Sequence, residues 1–131
     1  MNTLMTTELR ELLPPLYSQE NNGTATTVYG KVFNPAGAGT WYLTEFDGKD
    51  TLFGITCDLG NEPEMGYMSL AEMEDLRVDL VVRDLTTGES VRSGRIIRLE
   101  LEDPWSPRPV SELPTDDIPK FLHKVDEAEI A

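Results

Sequence analysis

The sequence predicts an α+β fold, an antiparallel sheet of about five strands (a meander plus a hairpin) flanked by three short helices. Three observations carry that prediction. Short runs rich in β-branched and aromatic residues are separated by turns containing Gly, Asn and Asp. Three other stretches carry helix-start signals and helical apolar spacing. The 131 residues, 39% hydrophobic and 27% charged, suffice for one hydrophobic core but not for two ordinary ones. Residues 1–131 are therefore expected to form a single domain.

Thr6 to Leu13 reads as the first helix, with threonines suited to an N-cap, Glu8 in the first turn and Leu9, Leu12 and Leu13 at helical spacing before Pro14-Pro15. Leu16 to Gly23 reads as extended loop. Strands follow at Thr26–Phe33, Thr40–Phe46 and Thr51–Cys57, joined by the small-residue turn 34–39 and by Asp47-Gly48-Lys49-Asp50, and together they make the meander. Asp58 to Gly66 reads as a charged loop. Ser69-Leu70-Ala71-Glu72 matches a capping box, and Leu70, Met73 and Leu76 supply the stripe of a second helix. Val78–Leu85 and Ser90–Glu102 form the predicted hairpin, its second arm alternating Ile97, Leu99 and Leu101 with Arg98, Glu100 and Glu102. Three prolines between Asp103 and Pro109 then take the chain out of the sheet. An amphipathic helix is expected over about 116–129, with Ile118, Phe121, Leu122 and Val125 on one stripe, docking on its own domain or in a partner's groove.

Composition excludes several classes. No apolar run approaches the roughly 20 residues of a membrane span, and Met1-Asn2-Thr3-Leu4 lacks a secretory n-region, so a cytoplasmic location is expected with no membrane partner. The single Cys57 cannot form an internal disulfide. Against 11 bases stand 24 acids, a net charge of −13 that works against direct nucleic-acid binding. There is no phosphate-cradling glycine motif and no zinc-spaced Cys/His set. The only histidine, His123, falls on the polar side of the last helix, and Cys57 ends an apolar strand with no basic neighbour to activate it.

Four stretches together carry a family resemblance: Leu12 to Glu20, Trp41 to Gly48, Leu52-Phe53-Gly54, and Glu62 to Met73. On these the chain resembles the bacterial domain of unknown function 2958, a family borne largely on plasmids, phages and other mobile elements. With a weaker block at 96–113 the likeness covers roughly residues 9–113. Residues 77–94 read as an added hairpin, and the helix from Thr115 lies beyond the usual end of the family pattern. The resemblance implies a mobile-element setting and supplies no catalytic residues and no mechanism.

Charge carries the leading functional expectation. Asp58 to Asp75 holds six acids and no base, and Glu100 to Ala131 holds nine acids against three bases. Carboxylates spaced like phosphates can occupy the basic groove of a DNA-binding protein. This points to a non-enzymatic accessory protein that binds a protein partner through Asp58, Glu62, Glu64, Glu72, Glu74 and Asp75, in its sharper form an acidic DNA mimic opposing a DNA-acting defence system. Solubility alone is the plainer account of the same acids. No cofactor is expected on that reading, and enzymatic activity stays open with binding favoured. In the enzymatic alternative, Asp58, Glu62 and Glu64 converge on Mg²⁺ or Mn²⁺ in a metal-dependent nuclease or phosphodiesterase. In a third reading Tyr17, Trp41, Tyr42, Glu45 and Tyr67 line a small-ligand cleft, where ordinary core packing is the plainer account of the aromatics. The one locally basic stretch is the 77–98 hairpin: if its arginines share a face they can grip a carboxylate or phosphate bidentately, and if they alternate with acids they are cross-strand pairs.

Overall fold

The computed structural model describes residues 3–130, the side chains of 128–130 excepted. The fold is α+β, with α1 at Thr7–Leu12 capped by the Thr6 hydroxyl, which accepts from Leu9 N at 3.1 Å. A 3₁₀ turn at Gly23–Ala25 leads to β1 (Thr27–Val28), β2 (Gly30–Phe33), β3 (Thr40–Phe46), β4 (Thr51–Cys57) and β5 (Glu64–Ser69). Then come α2 (Leu70–Asp75), β6 (Arg77–Arg83), β7 (Ser90–Arg98), β8 (Glu100–Leu101), β9 (Arg108–Pro109), two further 3₁₀ turns and α3 (Lys120–Ile130). Five strands form one antiparallel sheet in the order β5-β4-β3-β2-β8. β1 pairs with β9, and β6 pairs only with β7.

Strand alternation sorts the core into two layers. Val32, Leu43, Phe46 and Leu52 face Leu4, Leu9, Leu13, Leu70 and Met73, so the N-terminal segment and both short helices cover one face. Tyr42, Ile55 and Cys57 face Val110, Leu113 and Leu122, with Trp105 and Ile118 packed beside them. The C-terminal helix thus docks on its own domain, and among the described residues no helix is long and apolar enough to cross a membrane.

Three elements differ from the expectation. The segment assigned to loop as far as Gly66 is strand β5 from Glu64 onward; Met65, Gly66 and Met68 carry little β-propensity, and the strand forms by pairing along the free edge of β4. The predicted hairpin does not extend the main sheet. Its arms make a separate two-stranded sheet, and only Glu100–Leu101, beyond fully buried Leu99, reach β2. The last helix starts later than 116 because Pro119 keeps Ile118 extended, at φ −91° and ψ 118°, leaving Thr115–Asp117 as a 3₁₀ turn.

Candidate functional site

The C-terminal layer leaves the β4–β5 end of its sheet face uncovered, and a cleft of about 750 Å³ lies there. That volume is in the range of sites for small molecules. Its floor is a set of cross-strand neighbours: Phe53 opposite Tyr67, their rings 5.0 Å apart and edge-on, with Met65 beyond. One wall is the loop from Tyr17 to Asn21, the other is Pro119 to Leu122, and Glu62, Pro63 and Glu64 form the rim.

The loop wall is held by an unusual carboxylate. A bulge in β3 between Leu43 and Glu45 turns Glu45 onto the cleft face opposite Phe53, where it is 3% exposed. Its two oxygens accept from the backbone N–H of Tyr17 at 2.8 Å and of Gln19 at 2.9 Å. Tyr17 adopts a left-handed φ of 71°, which aims both amides at that one side chain. Gln19 adds a second tie: its Nε2 donates to the carbonyls of Thr27 (3.1 Å) and Thr44 (3.0 Å), and its Oε1 accepts from Thr27 N (2.7 Å). The helical wall is pinned by Asp126, which accepts from Thr24 N at 2.9 Å and from Thr24 Oγ1 at 2.6 Å. Those bonds hold the Asp126 carboxyl below its ordinary pKa.

Large aromatic surface remains open in the cleft, with Tyr17 62%, Tyr67 58% and Phe121 62% exposed. The two tyrosine hydroxyls meet at 3.2 Å, and that bond, with some desolvation, raises the Tyr67 pKa above its ordinary value. The ionisable lining is otherwise Glu20, Glu45, Glu62 and Glu64 against one base, Lys120, whose Nζ lies 3.5 Å from Glu62. The cleft is therefore aromatic and acidic.

Three of the five residues expected in a ligand cleft are in it: Tyr17, Glu45 and Tyr67. Trp41 and Tyr42 are corrected. Trp41 sits on the opposite sheet face against the N-terminal core, because it alternates with Tyr42 along β3. Tyr42 is on the cleft's side of the sheet but lies under the C-terminal segment, its hydroxyl donating to Asp117 at 2.7 Å, and burial pushes its pKa up. Cys57 is buried nearby; desolvation and Asp117 push its thiol up to about 12, so it is no nucleophile near neutral pH.

The six acids assigned to a partner surface fall in two places. Glu62 and Glu64 rim the cleft, with Asp58 exposed at the end of β4, whereas Glu72, Glu74 and Asp75 belong to α2 at the other end of β5. A six-residue strand separates the two groups by about 20 Å. Glu74 is also engaged, its Oε2 accepting from Leu4 N at 2.8 Å. Asp58, Glu62 and Glu64 do not converge: among the described residues no three His, Cys, Asp or Glu side chains are grouped to hold a metal ion. His123 is exposed and does not line the cleft. Sequence reasoning missed Gln19, Phe53 and Met65, and it put Phe121 on the buried stripe, whereas Leu122 is the buried residue there and Phe121, 62% exposed, lines the cleft.

Residues 4–91 match the family described as Protein of unknown function (DUF2958). The match takes in residues 77–91, so most of the hairpin read as an addition belongs to the matched region, and it stops short of the 96–113 stretch. No curated protein and no solved structure matches the chain.

Proposed function

We propose that this chain, which belongs to the DUF2958 family, is a binding protein whose cleft takes an organic cation with an apolar body. The observation that carries this reading is the coincidence in one cavity of three largely exposed aromatic rings, Tyr17, Tyr67 and Phe121, with four carboxylates and a single, already paired lysine. A cation over such rings gains about 0.5–2 kcal/mol per contact, most when desolvated, and the rim carboxylates add charge complementarity. Binding is favoured over catalysis because Glu45, the buried carboxylate of the site, spends both oxygens on backbone amides. The phosphodiesterase alternative finds no grouped set of metal ligands among the described residues, and the acidic-mimic reading loses force because its carboxylates are divided between two ends of a strand.

Calorimetric titration with hexyltrimethylammonium tests the reading against hexanol and hexanoate, which share its apolar chain. One saturable site is expected for the cation, at least about tenfold tighter than for hexanol, with no hexanoate binding. Tyr67→Ala should weaken the cation by about 3- to 30-fold, and Glu64→Gln should weaken it in the same direction. Equal affinity for hexanoate, or no cation binding, would overturn the assignment.

A further inference from the structure

The β6–β7 hairpin settles the arginine alternative in favour of a shared face. Arg77 stands opposite Arg98, Asp79 opposite Ile96, Val81 opposite Arg92 and Arg83 opposite Ser90. Opposed residues share a face and alternate residues return to it, which puts Arg77, Arg98 and Asp79 on one face below the register shift that falls between Asp79 and Val81, and Arg83 and Arg92 on one face above it. The Arg92–Asp79 ion pair bridges the shift and keeps the four arginines on the same side, with Asp79 as the one acid. The other face is aliphatic, with Val78, Leu80, Val82, Val91 and Ile97. Every residue from Val81 to Ile96 is exposed, so the outer half of this ribbon stands clear of the body.

The ribbon reverses the charge of the molecule. Residues 77–98 hold five of the 11 bases and three of the 24 acids, leaving six bases and 21 acids elsewhere. Yet among the described residues only Arg92 has a carboxylate partner here, Asp79 at 3.5 Å. Arg83 Nε and Arg98 Nη1 donate to the carbonyls of Gly88 and Glu74, both at 3.3 Å, which leaves most of each guanidinium fork open. Like charges directly opposite, as in Arg77 and Arg98, destabilise a bare ladder. In a chain with a twofold excess of carboxylates, arginines without carboxylates on a protruding surface call for an anion from outside.

We infer that this arginine face grips the phosphate backbone of a nucleic-acid duplex. A two-stranded ribbon fits a major groove about 12 Å wide, and guanidinium forks bind phosphate bidentately. Arg77 and Arg98 at the base and Arg83 and Arg92 farther out are separated by four to six residues, about 13–20 Å, which spans several phosphates at one charge per about 1.7 Å of duplex. The acidic body does not forbid this. At 0.1 M salt the screening length is about 10 Å, so the outer arginines are electrostatically separate from it. A second copy of the chain, the competing occupant, would have to bring two acidic bodies together, whereas a duplex meets the arm alone.

Fluorescence anisotropy of a labelled 20-base-pair duplex with the full chain at 50–200 mM NaCl tests the inference. Binding is expected with a Kd on the order of 10⁻⁴ to 10⁻⁶ M and a log–log salt slope of about −3 to −4 for four contacts. The double variant Arg83→Ala/Arg92→Ala should weaken binding at least about tenfold and flatten the slope by about 2. Lys49→Ala, an exposed base on the body, should change neither, and far-UV melting should show all variants folded. Absence of binding at 50 mM salt, or equal binding by the double variant, would overturn the inference. So would a salt-sensitive dimer in sedimentation that the double variant dissolves, which would give the face to a second copy.

Discussion

Strands β4 and β7 both carry β-branched residues around a glycine, with three arginines added in β7, and live in different environments. In Thr51–Cys57 the chain lies between β3 and β5, covered along one face and on the other everywhere but at the cleft beside Phe53, and Leu52 and Ile55 are fully buried. In Ser90–Arg98 it has one neighbour and no covering layer, and Val91 and Ile96 stay about half exposed. The aliphatic residues alone do not explain the contrast, since Val and Ile favour strands in either setting. What differs is the number of ladders and layers each strand meets. A two-stranded ribbon is marginal by itself in water, so the arm borrows its order from the body at its base, where Arg98 bonds Glu74, and from its turn, where Asp84 Oδ1 accepts from Thr86 N at 2.8 Å. The body is organised for stability and the arm for presentation.

Substitutions on the two sides should expose that division. Leu52→Ala removes a side chain with no solvent exposure and should lower unfolding free energy by about 2–5 kcal/mol in urea titration; a loss under about 1 kcal/mol would mean the body is more loosely packed than described. Glu45→Gln retains one acceptor oxygen but turns an amide group toward a backbone N–H, and a loss of about 2 kcal/mol is expected. Hydrogen exchange should localise it, with faster exchange at the Tyr17 and Gln19 amides and unchanged exchange in the arm. Val91→Ala on the arm should shift stability by less than about 0.5 kcal/mol. A larger loss would show that the aliphatic face of the ribbon is covered in solution and would break the comparison.

Much of this architecture was legible from residues. Thr40–Phe46 and Thr51–Cys57 are the strands that their β-branched and aromatic runs predict, and Ser69 caps α2 as the S-x-x-E pattern requires, accepting from Glu72 N at 3.2 Å. What was not legible depends on tertiary neighbours. β5 exists because β4 has an edge to offer, and the hairpin stands apart because buried Leu99 ends its run before the main sheet begins. At the cleft, Tyr17, Glu45 and Tyr67 were nameable as polar aromatics and an acid near strand ends. The bulge that rotates Glu45 leaves no local signature, and Trp41 and Tyr42 were misplaced because face assignment needs to know which layer covers which side. The hairpin arginines posed a question of parity that the register, with the Arg92–Asp79 pair across its shift, answered.

Gln19 has a mechanical consequence. Its primary amide carries the same donor and acceptor as a peptide unit, and it is clamped between Thr27 and Thr44 as a rung would be. Thr27 is in turn aligned with Pro109 in the β1–β9 pair, and Thr26 O receives Val110 N at 2.8 Å. The wall of the cleft is thus riveted to the seam where the chain's two halves meet. A ligand that pried residues 17–21 outward would strain that seam before it enlarged the cavity, so the cleft should accept occupants by shape and reject those that need it to widen.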